Sequence, residues 1–283
     1  MPASPYSSVQ QSREQLAARL IEVMRDAGIA SGREMARRLG WQESKVSRII
    51  RAVTPPSEAD VRAWCQACEA ADEIPGIVAS LRLAEGTYVE WRRMERAGLR
   101  AAQESVRPLF ERTERFRSYS PTIISGMIQT RAYTTAVLRN TQRRRGLADD
   151  VDAAVEVRML RQQLLNTQEK TFAFLLEEQV LGTRIADDDV MTGQLAHLLT
   201  LLAVPNIRLG IIPSSARRER QPTEGFWIYD TAQVSVELVG AYLTVTQPRE
   251  VSLYEQAFAE LSALAVYGAS ARNLIARAVQ ALG

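Results

Sequence analysis

The sequence predicts a two-part protein: a mostly α N-terminal domain, then a larger α+β domain with a mainly antiparallel sheet. Three observations carry this. The chain has 283 residues, and at about 100–200 residues per domain that length suits two. Its first quarter repeats apolar residues at helical spacing, broken by Gly and Pro. Between residues 207 and 245, four short apolar runs are separated by Pro213, Asp230-Thr231 and Gly240, as strands are.

The elements follow in order. Residues 1–10 are polar, with two prolines, and read as a flexible tail. Leu16, Leu20, Val23 and Met24 share a helical face, so a first helix is expected over 12–27, closed by Gly28. Ser31 and Glu34 have the spacing of a capping box, in which each side chain satisfies a free amide at a helix start. That second helix runs to Leu39. Gly40 turns the chain, and a third helix covers 43–52. Pro55-Pro56-Ser57-Glu58 opens a fourth, over 58–71, with Val61 and Trp64 facing inward. Residues 11–74 thus read as one domain and 75–118 as a helical connector. The connector's apolar contacts are Trp91, Met94, Leu99, Leu109 and Phe110.

Residues 119–283 read as the α+β domain. Residues 119–138 start extended and turn helical after Gln129. Arg143-Arg144-Arg145-Gly146 reads as a polar loop, 149–165 as an amphipathic helix, and 171–176 as a buried strand. A helix is expected at 189–202, then strands at 207–212, 225–229, 234–239 and 243–245. Helices at 251–266 and 270–282 close the chain.

Composition narrows the chemistry. A hydrophobic content of 46% is that of a globular chain, not a disordered or collagenous one. No run approaches the roughly 18 apolar residues of a membrane span, and Met1–Pro5 lacks the pattern of a signal peptide. Two cysteines give no disulfide framework, so a reducing cytoplasm is expected. The single histidine, His197, leaves little room for imidazole catalysis or multi-histidine metal sites. The net charge of +2 is unevenly spread. Residues 1–53 hold nine basic and five acidic residues, a net of +4, and the remaining 230 hold 26 and 28, a net of −2. A locally basic head is the footprint expected of a phosphate-binding part.

Residues 33–51 carry the sharpest motif: a short helix, a turn beginning Gly40-Trp41, and a second helix. This is the form of a helix-turn-helix, whose second helix fits the major groove with its first residues at base edges. Glu43, Ser44 and Lys45 occupy that first turn. Val46 and Ile49 face inward, which puts Ser47 and Arg48 outward. Arg and Lys pair with guanine, and Ser serves base or phosphate. Arg33, Gln42 and Arg51 complete the candidate DNA-contacting set.

The segments Arg33-Glu34-Met35-Ala36-Arg37-Arg38-Leu39-Gly40-Trp41 and Ser44-Lys45-Val46-Ser47-Arg48-Ile49 resemble the XRE (lambda-repressor-like) helix-turn-helix regulators. Further segments resemble the actinobacterial members that carry a C-terminal domain of unknown function. These are Pro56 to Trp64, Tyr88 to Glu95, Gly126-Met127-Ile128-Gln129-Thr130, Phe174-Leu175-Leu176-Glu177-Glu178, Gly225-Phe226-Trp227-Ile228-Tyr229 and Val234-Ser235-Val236-Glu237-Leu238. The resemblance implies a sequence-specific regulator that binds a double-stranded operator, usually as a homodimer. It further implies a small protein partner encoded nearby, and it aligns Glu43, Ser44, Lys45, Ser47 and Arg48 with DNA-facing positions. The sequence departs from the pattern at Gln42 and Glu43, where Ser and then Gln are common. It departs again at Ile50-Arg51-Ala52, where Glu and a nearby Gly are common, and at Ser125. These departures bear on base preference.

Other candidates have plainer explanations. Cys65-Gln66-Ala67-Cys68 has redox or zinc spacing, but zinc needs about four ligands and no third cysteine exists. His197 sits in an amphipathic helix, and Asp187-Asp188-Asp189 suits a helix start. Glu177, Glu178 and Glu237 are the carboxylates available for general acid–base work. Phe172, Phe174, Phe226, Trp227, Tyr229 and Tyr242 line either an effector pocket or, more simply, the sheet core. Arg143-Arg144-Arg145 and Arg217-Arg218-Glu219-Arg220 read as exposed basic loops. The expectation is a non-enzymatic transcriptional regulator, cytoplasmic and nucleoid-associated when bound to DNA, with no membrane span, metal or cofactor. Its C-terminal domain would dimerise and answer a protein partner or a small-molecule effector. Two alternatives stand beside it: a protein–protein module that no longer reads DNA, and a hydrolase built on Glu177, Glu178 or Glu237.

Overall fold

The computed structural model describes residues 5–90, 95, 97–219, 221 and 224–282. The chain divides into two units, Met1–Val89 and Glu90–Gly283. No helix among the described residues is long and apolar enough to cross a membrane.

The first unit is helical: α1 (Pro5–Asp26), α2 (Gly32–Leu39), α3 (Glu43–Ile50), α4 (Glu58–Ala67) and α5 (Ile74–Thr87). The helix expected from residue 12 begins at Pro5, so part of the segment read as a tail is helical. Proline's fixed φ and missing N–H suit the first helical position. Leu16, Leu20, Val23 and Met24 are buried against Met35, Val46, Ile49, Val61 and Trp64. Ser57 and Asp60 cap α4 reciprocally, Asp60 N donating to Ser57 Oγ at 3.1 Å and Ser57 N to Asp60 Oδ2 at 3.0 Å. The fifth helix packs Ile77, Val78 and Leu81 into the same core. The segment 75–118, expected as a connector, is therefore divided between the units. Its Trp91 and Met94 lie outside the described residues.

The second unit opens with α6 (Gly98–Ser105) and α7 (Arg107–Arg112). One sheet holds its six strands: β1 (Arg115–Ser120), β2 (Thr171–Glu177), β3 (Ile207–Ile212), β4 (Phe226–Tyr229), β5 (Gln233–Glu237) and β6 (Ala241–Val245). Their spatial order is β6-β5-β4-β1-β2-β3. The β1–β4, β4–β5 and β5–β6 pairings are antiparallel, whereas β1–β2 and β2–β3 are parallel. Parallel neighbours need crossover connections. The first consists of α8 (Arg131–Arg145) and α9 (Val151–Gln162), the second of α10 (Glu178–Gly182) and α11 (Asp188–Leu201). The helices α12 (Pro248–Leu264) and α13 (Gly268–Gln280) close the chain. At 115–118 strand β1 departs from the helix expected there, because Arg115 and Arg117 mask its alternation.

Aromatic rings fill one face of the sheet. Phe116 and Phe172 stack at 4.8 Å, and Phe174 meets Trp227 edge-on at 6.0 Å. Phe172, Phe174, Phe226 and Tyr229 are buried and Trp227 and Tyr242 half-buried, so most of the aromatic set is core. Gly210 in β3 has to be glycine: a Cβ there would sit 2.7 Å from the Tyr267 ring. Arg143, Arg144 and Arg145 form the last turn of α8 rather than a loop, where cations suit the helix dipole. Arg145 also pairs with the buried Glu95.

Candidate nucleic-acid interface

The α2–turn–α3 segment is built from local chemistry. Ser31 Oγ accepts from Glu34 N at 3.2 Å and Glu34 Oε2 accepts from Ala30 N at 3.3 Å, fixing the start of α2. Gly40 closes that helix at φ 65°, a left-handed conformation that favours glycine. Trp41 N then donates to Ala36 O at 2.9 Å, which completes the tight exit. The third helix starts at Glu43 after Gln42, whose side chain makes no cap hydrogen bond. At the far end Ala52 takes φ 56°, and Val53 N reaches back to Arg48 O at 2.9 Å. This is the left-handed closure a glycine normally serves, here performed by a buried alanine.

Val46 and Ile49 are buried, so α3 is oriented as its pattern requires. Gln42, Glu43, Ser44, Arg48 and Arg51 are exposed, and Ser47 is half-buried. Arg33 and Glu43 pair at 3.1 Å with 84% and 65% of their side chains exposed, so water and salt compete with that bond. Lys45 is engaged within the bundle. Its Nζ lies 2.5 Å from Asp60 Oδ1 and 3.8 Å from the Trp41 ring centre. Burial alone would raise the Asp60 carboxyl, but the bonds from Lys45 and Ser57 outweigh it and hold it below its ordinary value. Lys45 therefore ties α3 to α4. Arg51 Nε turns back to Ser47 O at 3.3 Å.

The charge belongs to the helix-turn-helix segment rather than to the unit. Residues 1–89 hold eleven basic and eleven acidic residues, whereas residues 32–51 hold six and two. Among the described residues, Arg37, Arg48 and Arg51 have no carboxylate within ion-pair range. Arg37 is a further exposed cation on α2, signalled in the sequence by two adjacent arginines in an amphipathic helix.

The competing candidates separate in space. Glu177 is 4% exposed and occupied: Tyr119 Oη donates to its Oε1 at 2.7 Å and Arg218 Nη1 to the same oxygen at 2.9 Å. Arg218 is thus a half-buried partner, not a free loop cation; Arg220 lies outside the described residues. Glu178 accepts from Ser214 N at 2.7 Å. Glu237 stands on β5, three strands from β2, or about 14 Å at ordinary strand spacing. By register it also points to the opposite face from Glu177. These carboxylates do not form a pair. Cys65 and Cys68 are free and buried, and burial pushes both thiols up, Cys68 to about 11. A reactive thiolate needs the opposite shift. Asp187 precedes α11 and Asp188 pairs with Arg184. No group of three His, Cys, Asp or Glu among the described residues is arranged to hold a metal.

His197 is half-buried on α11, and burial lowers its pKa. The unfolded chain takes up this proton near pH 6.5 and the folded chain only at lower pH. Stability is thus expected to fall as pH drops below about 6.5 and to level off once the folded form is protonated too. Melting temperatures between pH 7.5 and 5 should show a flatter profile in His197→Gln than in the parent. Superimposable profiles would remove His197 as the cause.

Two family models match the chain. A helix-turn-helix domain matches residues 15–74, and a domain of unknown function, DUF5753, matches residues 109–277. No curated protein is similar to the chain.

Proposed function

The chain belongs to the DUF5753 family and carries a helix-turn-helix domain ahead of that domain, and from this premise we propose that it is a sequence-specific transcriptional regulator of the XRE type. The observation that carries the reading is the outward face of α3. Gln42, Glu43, Ser44 and Arg48 stand exposed immediately after the Gly40 turn, while Val46 and Ile49 anchor the helix from behind. Set into a major groove, Arg48 reaches guanine and Ser44 reaches base or phosphate. Arg33, Arg37 and Arg51 flank them as phosphate contacts. Glu43 is suited to accept from a cytosine amine, with Arg33 offsetting its repulsion of phosphate. Lys45 serves by holding α3 in place. The protein acts as a homodimer on two half-sites one helical turn apart, in the cytoplasm on the nucleoid, and is not an enzyme. The C-terminal unit dimerises and receives the signal, from a small protein partner or a small ligand.

Gel-shift titration on the promoter of its own gene tests this. Arg48→Ala should weaken binding by about 1–3 kcal/mol, roughly five- to 150-fold, with the melting temperature unchanged. Affinity should also fall steeply with salt. Lys45→Ala should lower affinity and melting temperature together. Undiminished binding by Arg48→Ala would remove α3 as the reading helix. Absence of any operator footprint, with a stable protein complex instead, would favour an interaction module.

A further inference from the structure

Arg158 and Arg161 lie on α9 and converge on one glutamine. Arg158 Nε donates to Gln103 Oε1 at 3.1 Å and its Nη1 to Gln129 Oε1 at 3.0 Å. Arg161 Nη2 donates to the same Gln103 Oε1 at 3.0 Å and its Nη1 to the Gln103 carbonyl at 3.2 Å. All these acceptors are neutral amides. Arg161 Nε is buried and has no hydrogen-bond partner. Its guanidinium lies 4.8 Å from the centre of the Phe110 ring. Among the described residues no carboxylate comes within ion-pair range of either arginine. The acid that acts on both is the exposed Glu237, from further away.

Two like charges thus sit side by side, partly covered, with no carboxylate in ion-pair range among the described residues. Burial depresses both, and together with the neighbouring Arg161 it brings Arg158 to about 10. Two buried carboxylates of this unit are matched instead: Glu177 by Arg218 and Glu95 by Arg145. A partly desolvated guanidinium pair with no anion beside it is unfavourable, and its planar donor forks match an oxyanion. The sheet side of the site is polar as well. The hydroxyls of Tyr229, Tyr242 and Ser235 interact there, and both tyrosines lie in the field of Arg161. Arg158, Arg161, Trp227 and Tyr242 each keep part of their surface open to solvent.

We infer that Arg158 and Arg161, with Tyr242 and the Phe110 and Trp227 rings beside them, bind a small organic oxyanion, a carboxylate or a phosphate. This deepens the reading of the C-terminal unit as the sensing part. The test is a binding measurement without DNA, so failure here and failure of DNA recognition are told apart.

The full chain is titrated with sodium phosphate and with sodium benzoate, against sodium chloride at equal ionic strength, by calorimetry and thermal melting. At least one oxyanion should bind and raise the melting temperature by several degrees. Phosphate alone would point to a phosphate ester, benzoate alone to a carboxylate. Arg161→Met should lose at least tenfold in affinity while melting, without ligand, at or above the parent temperature. Arg158→Lys, which keeps a cation and a donor, should bind measurably more weakly than the parent. The inference is overturned if neither oxyanion exceeds chloride, or if binding persists undiminished in both variants. It is likewise overturned if ligand-free Arg161→Met melts several degrees lower and Arg158→Lys binds like the parent, for the arginines are then structural.

Discussion

Trp64→Ala is expected to abolish DNA binding by unfolding the N-terminal bundle, without touching the recognition face. Trp64 is 1% exposed, and its Nε1 donates to the Leu20 carbonyl at 3.0 Å, so one side chain clamps α4 to α1. Its ring lies 6.4 Å from that of Trp41, which in turn supports Lys45 on α3. Truncating a buried Trp to Ala costs about 3–5 kcal/mol, a large share of the roughly 5–15 kcal/mol that holds an ordinary domain together. Amide hydrogen exchange over α1 to α4 should accelerate in step with the loss of operator binding. Trp64→Phe keeps most of the packing and loses the hydrogen bond, and should retain partial protection and binding. Protected amides in Trp64→Ala, with normal DNA affinity, would show that α4 does not brace the reading helix.

Phe174→Ala is expected to lower the stability of the second unit by a similar amount, about 3–5 kcal/mol. Phe174 is 0% exposed in β2, parallel to Phe172 at 6.2 Å and edge-on to Trp227 at 6.0 Å. In a body of this size the loss corresponds to a melting shift of roughly 6–20 °C. Near-ultraviolet circular dichroism should report it through the packed rings. A shift of only a degree or two would mean that the aromatic cluster lines a cavity instead of filling the core.

The elements differ in how far the residues alone disclose them. Strand β3 is legible to the residue, because Ile207 to Ile212 is an apolar run closed by Pro213. The α2–turn–α3 motif is legible because its determinants are local: a Ser31 cap, the Gly40 turn, and Val46 and Ile49 three apart. Strand β1 is hidden because Arg115 and Arg117 make a buried strand look like part of a charged helix. Its charge is answered from distant positions, Arg117 pairing with Glu255 at 2.7 Å. The ion pairs of Lys45 and Arg218 are hidden for the same reason, since Asp60 and Glu177 lie 15 and 41 residues away.

By itself, then, the sequence determined the two-part plan, most strands and helices, and the helix carrying the DNA-facing candidates. These follow from period, capping and turn chemistry, which act within a few residues. Only the tertiary structure decided which charged side chains are free and which are spent on the fold. It took Lys45, Arg218 and Arg145 into ion pairs, left Arg48 open, and set Arg158 beside Arg161 without a carboxylate. The energy of a charge depends on its burial and its nearest counter-charge, and both are fixed by contacts between residues far apart in the chain.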